Sequence, residues 1–323
     1  MATVQTVRGP VDVDALGQTL MHEHVFVLNE EYRLNYPDHW DEETRVRDAV
    51  DRLRALKAVG VDTIVDPTVL GLGRDIRRIM RVNAEVDLNI IAATGLYTYN
   101  ELPFVFSLTG PGTMLGGDEP MTPLFVRDLT EGIADTGVKA AFLKCAVEEQ
   151  GVTPGVLRVL HAVADAHRQT GAPITVHTNA IHHRGLEVQE IFREQGVDLT
   201  KVVIGHSGDS TGLDYLQRLI DGGSYVGMDR FGLNILLPFE DRVRTVARLV
   251  ERGLAERIVL AQDASCYIDW FPPGLPAQLQ PQWKYTHIHD DVLPALREQG
   301  VTEEQIDTML VTNPRTYFTP DAV

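Results

Sequence analysis

The chain has 323 residues, 44% of them hydrophobic, enough to bury a large core, and one (β/α)8 barrel of about 250 residues plus ornament would use nearly all of it. Its 46 acidic against 29 basic residues give a formal charge of −17, a surface that repels phosphate backbones and anionic lipid and so argues against nucleic acid as a partner. The opening MATVQTVRGPVDVDALGQTL has no cationic flank ahead of an apolar core, no apolar run is long enough to cross a bilayer, and Cys145 and Cys266 make no cysteine framework; a reducing cytoplasm is the expected location.

Eight short apolar, β-rich runs follow one another along the chain: GQTLMHEH, DTIVDPT, NIIAATG, AAFLKCA, APITVHT, KVVIGHS, SYVGMD and RIVLAQD. Amphipathic stretches lie between them, such as Thr44 to Val59 and Val156 to Gly171, where Ala, Leu and Val return at helical spacing among charged residues. Gly60, Gly171, Gly196 and Gly253 stand where such helices stop. Near-continuous apolar strands alternating with helices predict a parallel sheet covered on both faces. Eight repeats predict a closed (β/α)8 TIM barrel, one domain over residues 1–323 with 1–16 as N-terminal ornament. An open doubly wound sheet is the structural rival, but it usually places a Gly-rich phosphate turn after its first strand, and MHEH stands there instead. After the eighth run, the Pro-rich Phe271 to Pro281 reads as a long loop over the active face.

In such a barrel the catalytic groups project from the C-terminal ends of strands, so the residues that end each run are informative. The first run ends His22-Glu23-His24, where the two-residue period puts both imidazoles on one face and Glu23 on the other. The fourth ends in Lys144, the fifth in His177, the sixth in His206 and the eighth in Asp263. A single histidine at a strand end is more often a satisfied core or loop residue. Four histidines and an aspartate at equivalent ends, however, converge on one point when the barrel closes, and imidazole with carboxylate is the donor set that zinc, cobalt or iron accepts.

Lys144 stands inside the apolar FLKCA, where an ammonium ion would be costly to bury beside cations. A snorkelling lysine that reaches solvent is the bland alternative. The favoured reading is that the buried amine, once deprotonated, reacts with carbon dioxide to give a carbamate, N6-carboxylated Lys144, whose two oxygens bridge a metal pair. Two cations about 3.5–4 Å apart lower the pKa of a shared water and hold it as hydroxide near neutral pH. Asp263 is then the group to take the proton.

The segments TLMHEHVF, TIVDPTVLGLGRDI, TGLYTYNELPF, FLKCA, ITVHTNA, IGHSGD, GMDRFGLN and AQDASCYIDW cover almost the whole chain between them. Together they resemble the phosphotriesterase family of the amidohydrolase superfamily and are most similar to its phosphotriesterase-like lactonases. The resemblance implies His22, His24 and Asp263 on a more buried metal, His177 and His206 on a more exposed one, and carboxylated Lys144 with a hydroxide between them. It implies two divalent cations, zinc first with cobalt, iron or manganese as alternatives, and a homodimer. It makes Tyr97 a substrate contact near the metals, with Arg230 as its partner. Without it, Tyr97 and Tyr99 read as aromatic packing at a barrel rim.

The apolar FGLNILLPF, residues 231–239, is by itself a packed surface helix or an oligomer contact. In the family it borders a channel for the hydrophobic part of the substrate, which makes Leu233, Ile235 and Leu236, with Tyr99 and Trp270, candidate pocket walls. Trp270 and Trp283 flank the Pro-rich loop as walls or dimer contacts.

His287-Ile288-His289 copies the spacing of His22 and His24, but it precedes a helical pattern and reads as an exposed helix start. His182 and His183 follow the fifth run and are expected to meet water. Asp66-Pro67 is expected to have a structural role at the barrel rim, and His167 none in chemistry. The function expected from the resemblance is hydrolysis of N-acyl-homoserine lactones or other hydrophobic γ- and δ-lactones, with a weaker phosphotriesterase activity. A dedicated organophosphate triesterase and a noncatalytic ligand-binding homologue are the alternatives. Retention of Lys144 and Asp263 argues against the second, since binding alone requires neither a carbamate nor a proton acceptor.

Overall fold

A computed structural model of the chain describes residues 2–320, and its strands fall on the apolar runs. Strands β1 (Thr3–Thr6) and β2 (Gly9–Asp12) form an antiparallel hairpin. The first run then divides at its histidines into β3 (Thr19–Leu20) and β4 (His24–Val27). The next strands are β5 (Thr63–Asp66), β6 (Asn89–Gly95), β7 (Phe142–Val147), β8 (Ile174–Thr178), β9 (Val202–Gly205), β10 (Tyr225–Met228), β11 (Ile258–Leu260) and β12 (Ser265–Ile268).

An eight-stranded sheet runs in the order β11-β10-β9-β8-β7-β6-β5-β3, with every neighbouring pair parallel. Across the remaining seam the Met21 amide donates to Leu260 O at 3.2 Å, so the sheet is a nearly closed (β/α)8 barrel. Strands β4 and β12 pair separately with Ser265 opposite His24, which carries the two histidines past the mouth of the barrel.

Helices alternate with these strands: α1 (Glu42–Ala58), α2 (Ile76–Ala84), α3 (Met121–Thr130), α4 (Pro154–Thr170), α5 (Arg184–Glu194), α6 (Leu213–Asp221) and α7 (Phe239–Glu251). Helix α4 shows why they form where the sequence puts them. The Thr153 hydroxyl accepts from Val156 N, proline occupies the first turn, and Val156, Val159, Leu160 and Val163 bury one face. Gly171 ends the helix at φ 70° with its amide on His167 O, a left-handed conformation that would cost a residue with a β-carbon about 1–2 kcal/mol.

The two-residue period of each strand divides the core. On β6, Ile90 and Ala92 face the helices, whereas Ile91 and Ala93 face the barrel interior. Val4, Val13 and Leu16 of the N-terminal segment share that inner cluster with Phe142, Val203 and Tyr225. The ornament therefore packs as a floor to the barrel, joined by Tyr317, whose hydroxyl meets Thr175 Oγ1 at 3.0 Å.

His287 differs from the expected exposed helix start. Its side chain is fully buried, with Nδ1 2.7 Å from Asp291 Oδ2 and the ring 5.4 Å from that of Phe239. It opens a π-helical turn, Ile288–Val292, ahead of α8 (Leu293–Glu298). His289 turns to Gln18 Oε1, and neither histidine lines the central cavity. Among the described residues, no helix is long and apolar enough to cross a membrane.

Candidate metal centre

The strand ends bring His22, His24, Lys144, His177, His206 and Asp263 to the wall of a single cavity of about 340 Å³. Lys144 and His177 sit within β7 and β8, while His206 and Asp263 lie just beyond β9 and β11, in left-handed backbone at φ 61° and 55°. Such a conformation is unfavourable for any residue with a β-carbon, and it persists where the surroundings fix it. Here the chain turns sharply at the strand end, and the turn aims the side chain at the barrel axis. Gly95, at the end of β6, lets the backbone of Lys144 approach: a β-carbon there would lie 1.9 Å from Lys144 O.

Hydrogen bonds behind the imidazoles fix which nitrogen each one presents. Asp229 takes His22 Nδ1 on one oxygen at 3.2 Å and His206 Nδ1 on the other at 3.0 Å, and also accepts from the His206 amide. His24 Nδ1 donates to the Thr68 hydroxyl at 2.7 Å, which donates in turn to Asp66; the structural role expected of Asp66 is thus to orient a histidine. Each of these rings keeps Nε2 for the cavity. His177 is turned the other way: Nε2 meets Glu148 Oε1 at 3.2 Å, and Nδ1 faces the cavity 3.3 Å from the Tyr97 hydroxyl. Burial lowers the His177 pKa to about 4, so its lone pair is free at neutral pH. Glu23 points away from the cavity, as the alternation of side chains requires, and accepts the amides of Gln262 and Ala264, which tie the Asp263 turn to β4.

The donor set fits divalent cations. His22, His24 and Asp263 each offer a ligand atom within 4.8 Å of the others. Asp229 could complete a second such group with His22 and His206, but both its oxygens already face their Nδ1 atoms in hydrogen-bond contact, so it orients the two imidazoles. Asp263 Oδ1 lies 3.3 Å from His24 Nε2 and 3.5 Å from His22 Nε2, and its Oδ2 lies 3.0 Å from Arg230 Nε. Burial alone would raise the Asp263 pKa, but His22, His24, His206 and Arg230 hold it well below the usual carboxylate range. Lys144 is fully buried with Nζ 3.4 Å from His22 Nε2, and burial brings its pKa down to about 8.

Tyr97 and Arg230 both line the cavity. The Tyr97 hydroxyl contacts that of Tyr99, and the Tyr97 ring lies 5.3 Å from His177 and 6.5 Å from Trp270. Leu233, Ile235, Leu236 and Trp270 line the same cavity, as do Phe271 and Trp283. His182 and His183 do not line it; His182 bonds Asn179, and His183 stacks on Tyr215 at 4.3 Å.

Sequence reading missed Asp229, although it ends the seventh run, SYVGMD, and obeys the same strand-end rule as the ligands. It also missed Glu148, Thr68 and Asp209, whose roles depend on loops folding back. Asp229→Asn retains one acceptor but cannot receive both imidazoles. Metal affinity measured by chelator competition is expected to fall about 10- to 100-fold with the melting transition kept; unchanged affinity would remove the orienting role.

Residues 2–318 match the profile described as the Phosphotriesterase family. A phosphotriesterase homology protein of Mycobacterium tuberculosis is 59% identical over 319 residues, covering 98% of each chain. The aryldialkylphosphatase of Saccharolobus solfataricus is 40% identical over 305 residues, covering 94% of this chain and 95% of that one. A solved structure described as that of the phosphotriesterase from Mycobacterium tuberculosis superposes with a TM-score of 0.98 at 59% identity, covering 98% of both chains.

Proposed function

The chain belongs to the phosphotriesterase family of binuclear metal hydrolases, and from that premise we propose that it hydrolyses lactones, with N-acyl-homoserine lactones and other hydrophobic γ- and δ-lactones as the class and phosphotriesters as side substrates. The observation that carries this reading is that Tyr97 and Arg230 both line the apolar cavity that holds the candidate ligands. Tyr97 is 3.3 Å from His177 and Arg230 is 3.0 Å from Asp263, so both close in on the ligand cluster. A lactone offers them one planar ester group, whereas a phosphotriester must also house a third ester arm. The aryldialkylphosphatase activity named for the archaeal relative supports the side activity.

We assign one cation to His22, His24 and Asp263 and the other to His177 and His206, with N6-carboxylated Lys144 between them and zinc as the first choice. When bound, the cations supply Lewis acidity toward the carbonyl or phosphoryl oxygen and make water nucleophilic near neutral pH. Lys144, with its pKa brought to about 8, is partly neutral at pH 7. Its amine lone pair adds to the carbon of carbon dioxide, a proton leaves the nitrogen, and a repelled cation becomes a carbamate anion. Asp263, held ionised, receives the proton of the attacking water and returns it to the leaving alkoxide. Burial lifts the Tyr97 pKa well above 10, so its hydroxyl stays protonated and donates to the lactone oxygen. The side chains of Leu233, Ile235, Leu236 and Trp270 take the acyl tail, each buried methylene contributing about 0.8 kcal/mol.

Tyr97→Phe tests the reading, because it deletes only the hydroxyl. Its lactone kcat/KM is expected to fall about tenfold, one hydrogen bond of about 1.5 kcal/mol, while triester turnover changes less than about threefold. An equal loss on both substrates would reject the assigned contact.

A further inference from the structure

Arg242, in the first turn of α7, is the largest fully buried side chain, 1% exposed. Its Nη1 donates to Gly208 O at 2.7 Å, its Nε to Leu237 O at 3.2 Å and one Nη2 hydrogen to Leu233 O at 3.3 Å. Nη2 also pairs with Asp209 Oδ1 at 2.7 Å. The other oxygen of Asp209 accepts from Arg230 Nη1 at 3.0 Å. Every one of these contacts is to one of two segments. The first is the turn Ser207–Asp209 directly after His206. The second is the loop 230–238, which begins with Arg230 and carries Leu233, Ile235 and Leu236.

That loop needs an anchor. Ile235 and Leu236 are 74% and 49% exposed, so burial of their own side chains does little to hold them. Phe231 is buried in the core and Arg230 holds Asp263 at the start of the loop, but beyond them its other ties outside the loop include only side-chain contacts from Asn234 to Gln282 and from the Ile235 amide to Gln280. A guanidinium is suited to the task because its rigid fork satisfies several acceptors from one buried charge, which a lysine cannot do.

We propose that Arg242 is a positioning residue for the lactone site: it fixes the apolar loop 230–238 over the cavity and, through Asp209, sets the aim of Arg230. The proposal rests on the lactonase reading for its substrate, but not for its first readout. Loop and ligand turn are clamped to one guanidinium, so the acyl-tail wall and the Arg230 head keep a fixed distance from His206. Arg242 thereby governs how tightly long-tailed substrates bind, and Asp209 governs how Arg230 meets the reacting group.

The test uses the metal-loaded protein and two variants, Arg242→Lys and Asp209→Asn. Amide hydrogen exchange is measured over the whole chain, and steady-state kinetics on a short-tailed and a long-tailed lactone. In Arg242→Lys, exchange over residues 231–237 is expected to quicken about tenfold or more, with amides of β7 and β8 unchanged. Its kcat/KM for the long-tailed lactone is expected to fall about tenfold through KM, and for the short-tailed one less than about threefold. In Asp209→Asn, kcat is expected to fall at nearly constant KM, with loop exchange raised about threefold. Unchanged loop exchange in either folded variant, or faster exchange throughout the barrel with equal losses on both substrates, would overturn the proposal. If Arg242→Lys does not fold, Asp209→Asn decides it alone. If the wild type turns over no lactone, the substrate reading fails, while the exchange data still decide whether Arg242 anchors the loop.

Discussion

Lys144→Ala is expected to purify without its full complement of metal and with activity reduced about 10³-fold or more, the scale of removing a preorganised charge from a reaction centre. Lys144 is fully buried among imidazoles, with Nζ 3.4 Å from His22 Nε2, a poor setting for an ammonium ion and a good one for a bridging anion. Truncation to alanine leaves a space where the proposed carbamate would stand. Acetate or propionate, small enough to enter and carrying the same two oxygens, is expected to restore part of both metal content and activity. The cavity itself destabilises the barrel by about 2–4 kcal/mol, a loss visible in the melting temperature that added carboxylate alone does not fully reverse. Full activity in the alanine variant, or an unmodified ammonium beside two bound metals in its parent, would remove the bridge from the account.

Prolonged chelation is expected to bring the wild-type activity to that of a protein-free control, and zinc, cobalt or manganese to restore it. The protein groups left behind explain the size of the effect. Asp263 is held strongly ionised by His22, His24, His206 and Arg230 and is a weak base on its own, and Tyr97 keeps its proton. Neither makes a nucleophile from water near pH 7. Because His177 is neutral down to about pH 4, reloading at pH 7 needs no proton to leave that ligand. Activity that survives in protein shown by elemental analysis to be metal-free would contradict this expectation.

The barrel was legible because its strands are buried on both faces and read as continuous apolar runs, and because Gly171 and its counterparts punctuate the helices. The convergence of the six candidate ligands on one cavity was legible for a related reason: a parallel barrel aims all strand ends at one place, so AAFLKCA and APITVHT show where Lys144 and His177 will point. The break between Leu20 and His24 was not visible, since no glycine or proline stands between them to mark it. What splits it is the need to lift His24 beside β12, a long-range pairing that a local pattern does not contain. Asp229 carried the strand-end signal, but its part as the shared acceptor of His22 and His206 is visible only where the two rings meet on its oxygens. Arg242 is one of three arginines in the helical pattern FEDRVRTVARLVE, and only the packing of α7 turns that arginine inward. His287 was misread as exposed because a histidine ahead of a helix is usually solvated; Phe239 and Asp291 cover it instead.

The central claim, a lactone site narrowed by Tyr97 and Arg230, is tested most directly by kcat/KM for a panel of acyl lactones and a dialkyl aryl phosphotriester on a single preparation of defined metal content. Attack on a lactone carbonyl passes through a compact tetrahedral oxyanion, while attack on phosphorus passes through a bulkier five-coordinate state. The account predicts that the best lactone exceeds the triester by about two orders of magnitude, roughly 3 kcal/mol of differential transition-state stabilisation. A triester turned over as efficiently as the best lactone would contradict it and make the chain a dedicated phosphotriesterase.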